Sequence, residues 1–337
     1  MRGYSRMLRR MVAALLACVA AVGLSACDGQ PPSVEASSSA SQTGPDLTAS
    51  QEKAIRRRIL AGINAANDSR DAKGLDAYMS GPALTIRTSE LSIAKATGEL
   101  DPKTTIPSGA VQTVIPTDSG WPRSVFTITT TTKDQQSKRL LVLRQDSARN
   151  NYRLWAVARL FEGAQLPKFA IPSIGSSLGE ADDSGLVMTP SDAVQRYADV
   201  LQKGSQSDYA KQFSDDYFRQ DLATLAETVQ KGMEQNAGTQ NQTFTASRDD
   251  ISVMRSTDGG DLVVARIDSQ WKRSAGEGRK SLPASDAEKA LFGSGTATSV
   301  MTVTYVNVVA LYIPPANSGK QVVAVGAERQ PVAVKAS

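Results

Sequence analysis

Twice along this chain of 337 residues, helix-forming stretches are followed by a run of strand-forming ones, and that order constrains the fold more than any other feature. Strands that follow one another across turns pair antiparallel, and helices collected at one end of the run cover a face of the sheet. The class this implies is α+β, not the alternating βα order of a parallel sheet. In the first half Thr48 and Gln51 fit a capping box, and Ile55, Ile59, Leu60 and Ile63 share one face of a helix reaching about Ala66. A shorter helical stretch is expected at Ala72 to Met79. After Pro82 the texture turns to β, with strands at Val111 to Ile115, Val125 to Thr132, Leu140 to Arg144 and Tyr152 to Leu160.

The second half opens on Thr189-Pro190-Ser191-Asp192, an N-cap followed by proline and an acid in the first turn. Val194, Tyr197, Ala198 and Leu201 form the apolar face of that helix, and Gly204 ends it. A second helix starts near Asp215 with Tyr217, Phe218, Leu222, Leu225, Val229 and Met233 inward. Strands are expected at Gln242 to Ala246, Ile251 to Arg255 and Leu262 to Trp271, with Thr257-Asp258-Gly259-Gly260 as a hairpin turn. Ser285 and Glu288 cap a short helix ending at Gly293, and Thr298 to Ile313 and Gln321 to Val325 complete the sheet. The stretch Thr298 to Ile313 is rich in β-branched residues and broken by Thr302, Thr304, Tyr305 and Asn307, so it reads as a strand and not a membrane span. The two halves read as a tandem duplication: a first α+β domain over 49–165, a Pro-, Gly- and acid-rich connection over 166–188, and a second α+β domain over 189–337.

The amino terminus carries a different message. Arg2, Arg6, Arg9 and Arg10 precede the apolar run Met11 to Leu24, which is too short to cross a hydrocarbon core of ~30 Å and reads as a secretory signal. It ends in Leu24-Ser25-Ala26-Cys27, which closely resembles the lipobox of bacterial lipoproteins. The resemblance implies cleavage of residues 1–26 and a diacylglyceryl thioether on Cys27. Two acyl chains hold a protein durably on a membrane where one does not. The alternative is plain secretory cleavage, leaving Cys27 as a free thiol; Arg9-Arg10 leaves the general and twin-arginine routes both open. Residues 27–48, rich in Ser, Pro and acids, read as a flexible tether.

Cleavage changes the electrostatics. The intact chain has 38 Lys+Arg against 34 Asp+Glu, and the signal holds four arginines and no acid, so the mature chain is neutral. The remaining asymmetry is a basic 49–165, which has 17 Lys+Arg and 11 Asp+Glu. It is either a solvated Arg/Lys face or a surface that rests on anionic headgroups or wall polymers, and an exported chain makes nucleic acid a poor partner. Cys18 leaves with the signal, so no disulfide or cysteine metal site is expected. The absence of His removes the Ser-His-Asp and Cys-His nucleophiles and His-bearing metal sites.

With its lipobox, acidic tether and the turn Gly120-Trp121-Pro122-Arg123 before a strand, the chain resembles a family of actinobacterial surface lipoproteins of unknown function. Helices on a strongly bent antiparallel sheet resemble the nuclear transport factor two-like and cystatin-like folds. These resemblances imply location and fold and carry over no catalytic residues.

Local motifs that suggest chemistry fail on context. Gly175-Ser176-Ser177-Leu178-Gly179 matches a nucleophile elbow, but no His can serve it. Ser50 to Lys53 and Ser92 to Lys95 match S-x-x-K without the companion elements. The acid pairs Asp182/Asp183, Asp215/Asp216 and Asp249/Asp250 lack calcium-loop spacing, and Asp215/Asp216 suit a helix N-terminus better. Trp121 and Arg123 are either a recognition patch or a stacked pair closing the sheet end; Trp155 and Trp271 read as core. The sequence therefore predicts no catalytic, cofactor-binding or metal residue. The expected function is a non-catalytic envelope lipoprotein, anchored at Cys27 on the outer face of the cell membrane, that binds or scaffolds an envelope protein or wall polymer. Alternatives are a small cone-fold enzyme using a buried carboxylate and Tyr, or the solute-binding lipoprotein of a transporter.

Overall fold

Helix signals that are local in sequence are realised as expected. The computed structural model describes residues 44–118, 120–131 and 137–337. The signal 1–26, Cys27 and the tether as far as residue 43 lie outside the described residues. Helix α1 (Ala49–Ser69) begins in the expected capping box, with Thr48 Oγ1 accepting from Gln51 N at 3.2 Å and Thr48 N donating to the Gln51 side chain at 2.8 Å. Such a cap is worth about 1 kcal/mol. Ile59, Leu60, Ile63 and Ala66 are its buried face.

The helix expected at Ala72 to Met79 is instead a single 3-10 turn, Leu75–Ala77. It is followed by an unexpected helix, α2 (Gly81–Thr97), in which Pro82 occupies the first turn. A proline there gives up an N–H that has no helical partner anyway, so Pro82 starts a helix where the sequence reading had the helical region end.

Four strands follow: β1 (Ala110–Val114), β2 (Arg123–Thr129), β3 (Arg139–Gln145) and β4 (Arg153–Leu160). A two-residue strand, β5 (Leu178–Gly179), precedes α3 (Pro190–Lys203) and α4 (Tyr217–Glu234). Thr189 caps α3, and Asp216 caps α4 by accepting from Arg219 N at 2.9 Å. The two expected strands around residue 248 are one, β6 (Thr239–Arg255), with a register shift between Ala246 and Ile251. Strand β7 (Asp261–Ser274), the short α5 (Asp286–Phe292), β8 (Val300–Ile313) and β9 (Val323–Ala336) complete the chain.

The described strands of both halves belong to one curled antiparallel sheet in the order β1-β2-β3-β4-β9-β8-β7-β6-β5. Its two halves meet at β4 and β9 through two residue pairs, Arg159 with Ala327 and Leu160 with Gly326. Gly326 is needed there: a Cβ would lie 2.6 Å from the Arg159 carbonyl oxygen and 3.1 Å from the Leu160 Cα. At the far edges the halves are tied again, by the segment 166–188. Ser176 N donates to Ile115 O at 2.9 Å just past β1, and β5 pairs with β6. Phe169 is buried, and Val187 N donates to Pro314 O at 3.0 Å. The segment expected to connect two domains is thus a strap laid across the sheet's open edges.

Alternation along the strands sorts the core. Val125, Leu141 and Leu143 face α1, whereas Phe126, Ile128, Leu140 and Val142 face the other way. In the second half Val263, Ala265, Ile267, Val309 and Leu311 pack under α3 and α4. Their neighbours Leu262, Val264, Val306, Val308 and Ala310 join Phe126 and Leu140 in one shared cluster. A sheet buried on both faces accounts for unbroken apolar runs such as Leu140 to Leu143. Helix α2 lies across β4, β8 and β9 and fastens there, Ser89 Oγ donating to Pro331 O at 2.6 Å.

Candidate functional site

The seam between β4 and β9 is where the two halves leave space. A groove of about 690 Å³ opens beside it, walled by α4 and floored by the end of β4, Tyr305 of β8 and the middle of β9. Helix α4 lays Phe218 and Leu222 into the core and leaves Tyr217, 53% exposed, and Leu225, 41% exposed, on the groove rim. Phe161, just past β4, meets Tyr217 edge to face at 6.0 Å. The floor is charged: Arg159 pairs with Glu328 across the seam at 2.8 Å. The next residue on β9, Arg329, stacks on Tyr305, its guanidinium carbon 3.5 Å from the ring centroid, with Trp271 at 5.7 Å on the same cation. Burial lowers the Arg329 pKa and raises that of Tyr305, which the cation beside it holds back. Arg329 Nε and Nη2 are buried without a hydrogen-bond acceptor.

Behind the floor lies Glu90 on α2, buried. Burial pushes its carboxyl up to about 7 despite Arg87 at 3.1 Å, and Glu328 and Asp101 add to the rise. A void of about 20 Å³ lined by Glu90, Lys103 and Glu328 lies there, and the last two residues also line the groove. The seam thus joins an aromatic rim, a charged floor and a carboxyl whose proton affinity lies near neutrality. Such perturbed groups beside a cleft are candidates for function.

The sequence reading did not find this site. It placed no helix at 81–97, so Glu90 had no face to sit on. The available signal was an acid four residues after Ile86 and four before Ala94, on the apolar face of a helix.

The residues it weighed are scattered. Ser176 is buried in the strap, and the Ser177 carbonyl accepts from Arg255 N at 3.0 Å. The two S-x-x-K pairs, Ser50 with Lys53 and Ser92 with Lys95, are exposed on α1 and α2. Asp215 is exposed beside Arg219, and Asp249 and Asp250 lie at the β6 register shift. Arg123 stacks on Trp121 at 4.4 Å and pairs with Asp46 at 3.2 Å. Trp121 is 40% exposed, while Trp155 and Trp271 are buried as expected.

A buried carboxylate and Tyr pair does exist, Tyr197 OH donating to Asp216 at 3.0 Å. Asp216 also takes the Arg219 backbone N–H at 2.9 Å and its Nε at 2.7 Å, so the pair closes the α3–α4 corner. Part of the basic character of the first half is likewise used inside. Arg56 pairs with Glu52, Arg58 donates to Tyr152 O at 2.6 Å, and Arg139, 1% exposed, donates to Lys103 O at 2.8 Å.

A family model described as Domain of unknown function (DUF8094) matches residues 47–335. No curated protein and no solved structure matches the chain.

Proposed function

The chain belongs to the family described as Domain of unknown function (DUF8094), and from that premise we propose an exported lipoprotein that binds an envelope partner in the seam groove. The lipobox Leu24 to Cys27 supports an anchor on the outer face of the cell membrane, and the likeness to actinobacterial surface lipoproteins supports the same address. The repeated order of helices then strands supports descent from two tandem α+β units of the nuclear transport factor two-like or cystatin-like kind, fused across β4 and β9. The binding role is carried by one observation: Tyr217 and Leu225 expose apolar area on a rim that faces the paired Arg159 and Glu328. Aromatic and aliphatic anchors around a few oriented charges suit recognition of an envelope protein or wall polymer.

The test is site-specific crosslinking on membranes. A benzophenone side chain at Leu225 is expected to yield an envelope adduct that the same group at exposed Ile171 does not, and Cys27→Ala is expected to release the protein and abolish the adduct. Equal adducts at both positions, or none at Leu225, overturn the binding role; a Cys27→Ala protein that stays with the membrane overturns the anchor.

Glu90 favours a second reading, a general acid or base at the groove floor. It requires that a ligand in the groove reach the Glu90 carboxyl past Lys103 and Glu328.

A further inference from the structure

Asp261, the first residue of β7, is 1% exposed, and neither of its carboxyl oxygens has a hydrogen-bond donor. What it faces is another acid, Asp183 of the strap. Gly179 of β5 brings the strap this close. A Cβ on it would lie 2.6 Å from Asp183 Oδ2 and 3.2 Å from Asp261 Oδ2. The charges around the pair come from each neighbouring element. Arg255 of β6 pairs with Asp183 at 2.6 Å. Tyr312 of β8 donates to Asp258 of the β6–β7 turn at 2.6 Å, and Asp183 Oδ2 accepts from Glu180 N at 2.9 Å. One guanidinium therefore serves two carboxyl groups, of which Asp261 is buried and Asp183 partly so.

We propose that Asp183 and Asp261 share a single proton, and that this proton is the latch that holds the strap 176–188 across the open edges of the sheet. Protonated Asp261 donates to Asp183, giving the pair the hydrogen bond no other group supplies. Loss of that proton to solvent leaves two carboxylates in contact beneath the strap, and their repulsion drives it outward. Burial and the neighbouring Asp183 raise Asp261 to about 7, against the pull of Arg255, so the latch is set to open near neutral pH. The strap also carries the contacts to Ile115, Thr117 and Asp118 just past β1, so its release loosens that segment as well as freeing the edge of β6 that β5 pairs. The same chain then presents a covered β6 edge in acid and an unpaired one above neutrality, the form that accepts an extended segment of a partner.

Amide hydrogen exchange on the full exported chain, corrected for intrinsic rates, tests the latch. With one proton bound more tightly in the closed form, exchange of Leu178 and Val187 is expected to rise about tenfold per pH unit from about pH 5 to 7 and to level off above. In Asp261→Asn the side-chain amide donates to Asp183 at every pH, so the rise is expected to vanish with protection retained. Strap protection that is flat in the wild type, or a rise that persists unchanged in Asp261→Asn, overturns the proposal. If Asp261→Asn does not fold, carboxyl carbon NMR of the wild type decides: one group of the pair titrating near 7 supports the latch, and both titrating near 4 overturns it.

Discussion

Glu90 is buried on α2 with one guanidinium beside it, and burial outweighs that partner, so the carboxyl keeps its proton up to about pH 7. In the unfolded chain the same group titrates near 4.5. Between those values the folded state binds more protons than the unfolded one, so this residue's contribution to stability falls as pH rises through the window. Glu90→Gln removes the titration and keeps a neutral side chain of the same shape. Urea unfolding is expected to show variant and wild type alike near pH 5 and the variant more stable near pH 8, by up to about 3 kcal/mol. A variant less stable at both pH values means that the ion pair with Arg87 dominates. Residues whose partners are near in sequence, such as Thr48 with Gln51 or Thr189 with Asp192, were legible because capping needs only three positions. Glu90 and Arg139 were not, since their burial is imposed by elements far along the chain.

At the scale of elements, the same contrast explains what was read and what was missed. The strands β2, β3, β4, β7 and β8 stand close to their expected places because both of their faces are largely apolar, so each reads as a run of strand-forming residues. Helix α2 was missed because Pro82 fits the start of a helix as well as the end of one. Strand β9 was expected to stop at Val325, but it continues to Ala336 past Glu328 to Pro331. Pro331 is accommodated where the β8–β9 register shifts, beside Tyr305, the irregular position at which a strand tolerates proline. The seam itself had no sequence signal beyond one glycine. Gly326→Val places a side chain against the Arg159 carbonyl, and neither strand can yield without breaking the two pairs that join the halves. The expected cost is about 1 to 3 kcal/mol in urea unfolding, with exchange protection lost first at Phe161, whose N–H donates across the seam to Val325 O. Unchanged protection there would mean that the helices and the strap, not the β4–β9 pairing, hold the seam.

At the scale of the molecule, the two halves share what each would need to fold alone. Phe126, Leu140 and Val142 of the first half and Leu262, Val264 and Val308 of the second bury one another on the sheet face away from α1, α3 and α4. A fragment ending at residue 165 leaves that face with Ile86 of α2 against it and without its second-half partners, and an apolar surface of that extent is a liability in water. Residues 49–165 expressed alone are therefore expected to be unfolded or aggregated. Two tryptophans report the halves in the intact chain: Trp155 on β4 packs in the shared core, and Trp271 on β7 packs with Met301 and Val303 at the far end of the second half. With Trp121→Phe as background, single-Trp chains retaining either one are expected to unfold at the same denaturant concentration once each is referred to its own stability by circular dichroism, because a shared core makes the transition cooperative. A fluorescence midpoint for one half that departs from the circular dichroism midpoint of the same chain would mean that the halves unfold as separate units. The shared face would then be a docking surface between two domains, and the single sheet a contact made after each had folded.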